Sequence, residues 1–381
     1  MPPALRAAYR APMNALALVA ALLLIGWVLW DAFETILLPR RVPARLRMSR
    51  FVLGWLWRAW SAIARAIPRR PRRENFLGFY ALFSILSLFI AWASGLVVGF
   101  AMVHWADGSR LAGVQGMTGF AADLYMSGTT FFTLGLGDLS PTSTIARIVT
   151  VIEAGTGFGF LALVIAYVPV LYQAFSRREA RITMLDEWAG SPPTAAVLLR
   201  RWSESHDPNV LTPLLKEWEL ASAEILESHL SYPILCFFRS QHDNQSWLAS
   251  LTAILDTCSL VIVGVDGIDP FQARLTFAIG RHALVDLSQT LRTRPVTQVD
   301  TALEPKALAE LRAWLAKAGL RIAEGPESDR RLGALRALYV PYAFRLSQRL
   351  LMPLAPPLPP AKTRYNWETS AWARTAPDDA H

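Results

Sequence analysis

Cysteine is nearly absent: the 381 residues hold two, Cys236 and Cys258. That is too few for a disulfide framework, and their separation does not match a C-x-x-C metal spacing, so both read as reduced core thiols on the cytosolic side. Catalytic signatures are missing too. No H-E-x-x-H, G-x-S-x-G or Walker pattern occurs, and His206, His229, His242 and His282 show no metal-ligand spacing, so neither an enzyme nor a cofactor is expected. The residues beyond 181 show helical periodicity without a strong strand pattern, and there is no internal repeat. The most telling absence is charge within three long stretches. Asn14 to Trp30 holds no ionisable side chain, Phe76 to Val103 holds no charge, and Ile145 to Phe175 has Glu153 as its sole acidic residue.

Each of these stretches, the first continued through Asp31 and Glu34 to Leu38, is about long enough to cross ~30 Å of hydrocarbon as a helix. With 53% hydrophobic residues and a mean hydropathy of +0.28, a membrane protein with three spans is expected. The first run is too long for a signal peptide and no A-x-A site follows it, so a retained helix is expected. Trp27, Trp30, Trp92 and Trp105 fall near span ends, where interfacial aromatics belong.

Positive charge is plentiful but localised. Arg40, Arg41, Arg45, Arg47, Arg50, Arg58, Arg65, Arg69, Arg70, Arg72 and Arg73 lie between the first two runs, against Arg6 and Arg10 before them. The positive-inside rule puts that loop in the cytoplasm. The N-terminus and the segment 104–123 then face outside, and everything from Arg177 onward faces inside. The net charge of +8 is explained by this topology without nucleic acid. At about 100° per residue, Arg47, Arg50, Gly54, Arg58, Ser61 and Arg65 share one helix face, with Phe51, Val52, Trp55, Leu56, Trp60, Ile63 and Ile67 around the rest. Such a helix suits the inner interface, its guanidinium groups on anionic headgroups, while packing of a solvated face on protein is the alternative. The first span lacks arginine at every third position, so no voltage sensor is expected.

In the second half, Thr212 before Pro213 marks a helix start. Trp247 to Val265 is apolar enough to mimic a fourth span, but Asp256 at its middle, and Arg274 and Arg281 beyond it, favour a buried helix of a soluble domain. Val263 to Gly267 is not followed by G-x-G-x-x-G, so no nucleotide loop is expected there. Pro353 to His381 reads as a proline-rich extension.

Between the second and third runs stands "DLYMSGTTFFTLGLGDLSPTST", residues 123 to 144. Non-helical backbone at membrane depth survives only when buried in protein or lining a water-filled path. Gly119 to Phe132 can form a helix too short to cross, so the chain is expected to dip in and return. Gly135 and Gly137 accept positive φ, and alternating hands along Thr133, Leu134, Gly135, Leu136 and Gly137 turn successive carbonyls toward one axis, where they replace a cation's hydration shell. The short helix aims its carbonyl end the same way, which favours a cation.

In these residues the chain resembles the pore module of potassium channels, whose filter reads T-V-G-Y-G-D where this chain has T-L-G-L-G-D. Thr133, Gly135, Gly137 and Asp138 match, Leu134 is a close aliphatic substitute, and Leu136 departs at the aromatic position. Phe132 departs from a common threonine. The resemblance covers about 76–176. It implies a homotetramer whose carbonyls of Thr133, Leu134, Gly135 and Leu136, with the Thr133 hydroxyl, coordinate potassium while Asp138 braces the outer mouth. With Leu136 in place of the ring, sodium as a second permeant ion stays open. Gly157 falls at the family's hinge glycine, although Gly155, Gly157 and Gly159 also suit close packing. Pro169 should kink the inner helix near Ile165, with Leu161, Ile165 or Tyr172 as constriction residues. Glu153 is read as filter support, paired with Thr129 or Thr130, and Asp31 and Glu34 as partners of nearby arginines.

The expected whole is an all-α membrane protein: three transmembrane helices with a re-entrant pore helix and filter loop between the second and third, then a helical cytosolic domain. The parts are 1–74, the first helix and interfacial helix; 75–176, the pore module; 177–352, the cytosolic domain; and 353–381, the disordered tail. The alternatives are a non-selective cation channel and a non-conducting sensor or scaffold. A cytosolic regulator is the partner expected at the helical domain. Arginine used far more than lysine, with abundant alanine, suggests a bacterial inner membrane.

Overall fold

The computed structural model describes residues 3–36, 47–109, 111–113, 119–242, 244–297 and 303–360. Arg40, Arg41 and Arg45 of the basic loop and residues 361–381 of the expected tail lie outside them. In chain order the elements are α1 (Pro3–Ile36), α2 (Met48–Ala66), α3 (Arg70–Ala106), β1 (Leu111–Gly113), α4 (Phe120–Phe131), β2 (Leu139–Pro141) and α5 (Thr144–Ala189). Then come α6 (Ala195–Glu204), α7 (Leu211–Ser231), α8 (Trp247–Gly264), α9 (Phe271–Thr290), α10 (Pro305–Ala316), α11 (Pro326–Ala337) and α12 (Val340–Leu350). The protein is mostly helical, and α1, α3, α5 and α8 are long and apolar enough to cross a membrane.

α5 outruns its apolar pattern by more than three turns. Beyond Phe175 the sequence is rich in Arg, Glu, Ala, Met and Leu, all good helix formers, and nothing stops the helix before Gly190, which takes φ 81°. The helix runs through Pro169 without interruption.

The chain divides into two compact units. The first comprises Met1–Ile63 and Phe79–Leu171. Its core is built from Val28 and Ala32 of α1, Leu88, Trp92 and Leu96 of α3, and Phe131 of α4. Small residues bring α1 and α3 together: a Cβ on Gly99 would lie 2.6 Å from Ile25 Cγ1. Polar groups then fix the register. Asp31 of α1 is buried and accepts from the Ser49 backbone N–H at 2.9 Å, the Ser49 hydroxyl at 3.0 Å and Trp92 Nε1 at 2.8 Å. Glu34 pairs with Arg47 Nε at 2.7 Å. The sequence expectation of arginine partners thus holds for Glu34, whereas Asp31 binds a serine and a tryptophan.

α2 packs on α3 through Trp57, buried edge-on against Tyr80 at 4.7 Å, and through the Tyr80 hydroxyl, which donates to the Leu53 carbonyl at 2.9 Å. Ser61, expected on the arginine face, is buried and donates to the Arg58 carbonyl. Phe51, Trp55 and Ile63 remain exposed, and the Arg58 guanidinium lies 5.2 Å from the Trp55 ring centre.

The second unit comprises Ala64–Gly78 and Tyr172–His381. α8 is its centre, packed by α6, α7, α9, α11 and α12. Of its most apolar window 83% is buried, against 28%, 33% and 11% for α1, α3 and α5. Its hydrophobicity is therefore spent on protein, as expected for a core helix. Asp256 accepts from the Tyr339 hydroxyl and pairs with Arg336, which satisfies the one acidic group in that helix. Arg239 reaches the carbonyls of Leu350 and Leu351 and lies 3.4 Å from Glu74.

His229 shows how tightly this unit is closed. Arg178 donates to His229 Nε2 at 3.0 Å and to the carbonyls of Leu235 and Phe238, so Nε2 is an acceptor and the imidazole is neutral. Burial, and next the Arg178 charge, hold the His229 pKa well below the ordinary 6.5. The unfolded chain binds this proton and the folded chain does not, so stability is full above pH 6.5 and falls below it. The slope is about 1.4 kcal/mol per pH unit until the folded pKa is reached. Melting of the full chain at pH 7.5 and 5.5 should show this loss, and His229→Gln should flatten it.

Candidate functional site: the turn behind α4

α4 opens after Gly119 and is capped at Phe132, where the chain turns sharply. Thr133 N–H donates to the Thr130 carbonyl at 3.0 Å, Leu134 N–H to the Thr129 carbonyl at 2.8 Å, and Thr133 takes φ 57°. This is a Schellman cap with threonine where glycine is usual. Threonine is β-branched and strained in that region. Positive φ recurs at Gly135 (54°) and Gly137 (75°), with Leu134 and Leu136 on the ordinary side. The alternation of hands argued from the glycines is present, and its first member is Thr133.

Asp138 ends the turn. Its Oδ2 accepts from the Tyr125 hydroxyl of α4 at 2.8 Å, and its Oδ1 accepts from the Leu139 N–H at 3.1 Å. β2 then pairs antiparallel with β1, Ala112 opposite Ser140. Gly113 is required there, since a Cβ would lie 2.0 Å from the Asp138 carbonyl oxygen. The turn is thus held at both ends, while Phe132 to Gly137 are exposed in the single chain. Sequence reasoning missed Tyr125; a phenol two helical turns before Thr133 was the available signal. Tyr125→Phe removes the hydrogen bond to the Asp138 carboxylate. It should loosen the turn at its Asp138 end, read as a lower melting temperature of the full chain in detergent.

α5 backs this turn. Gly157 touches α4 so closely that a Cβ would lie 2.0 Å from the Phe131 carbonyl oxygen, whereas Gly155 and Gly159 have open space. Leu161, Ile165 and Tyr172 are exposed. Glu153 is buried and hydrogen-bonds Ser127, with His104 Nε2 at 3.4 Å. The partnership of Glu153 with Thr129 or Thr130 is therefore corrected. The carbonyls of those threonines cap the turn and the Thr129 hydroxyl donates to the Met126 carbonyl. Ser127, one turn earlier than Thr130, meets α5 instead.

Several apolar helices, with a short helix and a glycine turn standing before α5, suit a membrane protein. Residues 86–173 match the family model described as ion channel, so the resemblance argued from T-L-G-L-G-D is borne out over that stretch. The chain is also 25% identical over 215 residues to the "Uncharacterized membrane protein YdjJ" of Bacillus subtilis (strain 168). That match covers 55% of this chain and 59% of the relative, so the chain spans about three fifths of the relative's length. No solved structure matches.

Proposed function

We propose that the protein is a cation channel, most favourable to potassium, in which four copies surround one axis and pass ions passively through a filter of Thr133, Leu134, Gly135, Leu136, Gly137 and Asp138. The observation that carries this reading is the alternation of positive φ at Thr133, Gly135 and Gly137 directly behind the carbonyl end of α4. A single turn cannot enclose an ion, and the exposure of Phe132 to Gly137 in one chain fits walls completed by neighbouring copies. In this reading α1, α3 and α5 cross the membrane of the cell, α4 is re-entrant, the N-terminus is outside and the second unit is cytoplasmic. α2 lies on the inner surface, with Arg58 and Arg65 toward anionic headgroups and Trp55 and Phe51 at the acyl boundary. The cytoplasmic unit is the place for a regulator. Gly157 and Pro169 are the positions on α5 where a conformational change of the inner helix would be felt.

Liposomes containing the full chain test this directly. Potassium-loaded vesicles should lose their potassium down its gradient when the protein is present as tetramers. Tetramers without flux, in the native chain and in Leu136→Tyr alike, would assign the module to assembly of a sensor or scaffold.

A further inference from the structure

Ser127 Oγ has one hydrogen and two acceptors in reach. It lies 2.8 Å from the Val97 carbonyl of α3 and hydrogen-bonds the Glu153 carboxyl of α5. A hydroxyl donates once and accepts through its lone pairs. When the hydrogen points at Val97, the contact with Glu153 is a hydrogen bond only if Glu153 carries a proton and donates it. The second carboxyl oxygen, Oε2, faces His104 Nε2 at 3.4 Å, and neither atom has a hydrogen-bond partner among the described residues. His104, Ser127 and Glu153 are all buried, at 2%, 0% and 0% exposure.

We propose that His104, Ser127 and Glu153 form a proton-binding site behind the filter turn, whose ligand is one proton carried either by the Glu153 carboxyl or by the His104 imidazole. Two placements of that proton differ in what they hold together. With it on Glu153, the carboxyl donates to Ser127 and Ser127 donates to Val97, so one directed chain of hydrogen bonds ties α5, α4 and α3 beside a neutral imidazole. With it on His104, an imidazolium faces a carboxylate, Ser127 turns its hydrogen to Glu153, and the tie to Val97 is lost. Removing the proton altogether leaves a buried carboxylate without a counter-charge, which burial opposes.

The surrounding groups are few. Asp123 of α4 accepts from the Ser109 hydroxyl at 2.6 Å and is within electrostatic reach of His104; its Oδ1 has no partner among the described residues. Asp107, just past α3, accepts from Ser143 at 2.7 Å. Asp138 is bound to Tyr125, and Arg147 of α5 donates to the Pro141 carbonyl. On α1 the described titratable side chains are Asp31, engaged with Ser49 of α2, and Glu34, paired with Arg47 just before α2.

The consequence for conduction rests on the channel reading, but the site itself is read without it. Infrared spectra of the full chain in liposomes should contain the carbonyl band of a protonated carboxylic acid that disappears as pH rises and is absent from Glu153→Gln. His104→Gln should shift the pH at which the band disappears, and Ser127→Ala should raise its frequency by removing the hydrogen bond. Potassium flux from the same vesicles should change over the same pH range and lose that dependence in Glu153→Gln. Identical spectra for the native chain and Glu153→Gln across the range would overturn the proposal, as would a titration that His104→Gln leaves unmoved. The Glu153 band present in a silent protein would overturn the channel reading and leave the proton site standing.

Discussion

Replacing Asp31 by alanine is expected to destabilise the first unit by about 3 kcal/mol or more, since three donors lose an ionised acceptor at once and each such bond is worth roughly 1.5–3 kcal/mol. The Ser49 backbone N–H, the Ser49 hydroxyl and Trp92 Nε1 all converge on this carboxylate, which is 1% exposed. Water cannot replace it there, so the donors stay unsatisfied. The effect reaches three helices, because Asp31 is on α1, Ser49 on α2 and Trp92 on α3. Asp31→Asn should be much milder. Its amide oxygen can take the place of Oδ2, which accepts from both Ser49 N–H and Trp92, while its amide nitrogen donates to a reoriented Ser49 hydroxyl. Thermal unfolding of the two variants in the same detergent checks this; equal losses would mean that charge, and not the acceptor geometry, holds the site.

Gly157→Ala should have the largest effect on the pore segment. The added methyl would lie 2.0 Å from the Phe131 carbonyl oxygen and 2.8 Å from its carbon, both backbone atoms at the end of a capped helix. No side chain can swing away, so α4 or α5 must shift. Overpacking of this kind costs about 1–3 kcal/mol, and the filter turn, which begins two residues after Phe131, shifts with it. The expected result is lower thermal stability together with loss of flux. A glycine needed only as a hinge would behave oppositely, since alanine stabilises a helix by about 1 kcal/mol relative to glycine. A Cβ on Gly155 or Gly159 would meet nothing within 4 Å among the described residues. A comparable loss on Gly159→Ala would therefore report a neighbouring copy packed against α5.

The glycine turn and the apolar helices around it were legible because each rests on a local rule: glycine for positive φ, and a long run almost free of charge for an apolar helix. Partnerships between helices were not. Glu153 stood out as an ionisable group in an apolar run, yet choosing Ser127 over Thr129 or Thr130 depends on the rotation of α4 about its axis, which periodicity leaves undetermined. Asp31 meets Trp92 across 61 residues of sequence, and arginines nearby in the chain were the only visible candidates. Thr133 in a left-handed cap runs against its own side chain's preference, so tertiary context overrides local propensity there. α8 reads as a span by hydropathy alone, and Asp256 was the clue that its surroundings are protein, where Arg336 and Tyr339 now satisfy it.

The central claim is a carbonyl-lined path that admits dehydrated cations, and the reversal potential of the purified full chain in a planar bilayer tests it most directly. With potassium on one side and sodium on the other, the account predicts a potential strongly toward the potassium equilibrium value. Current reversing near zero would contradict selectivity for potassium with Leu136 in the filter, and no current from intact tetramers would contradict conduction itself.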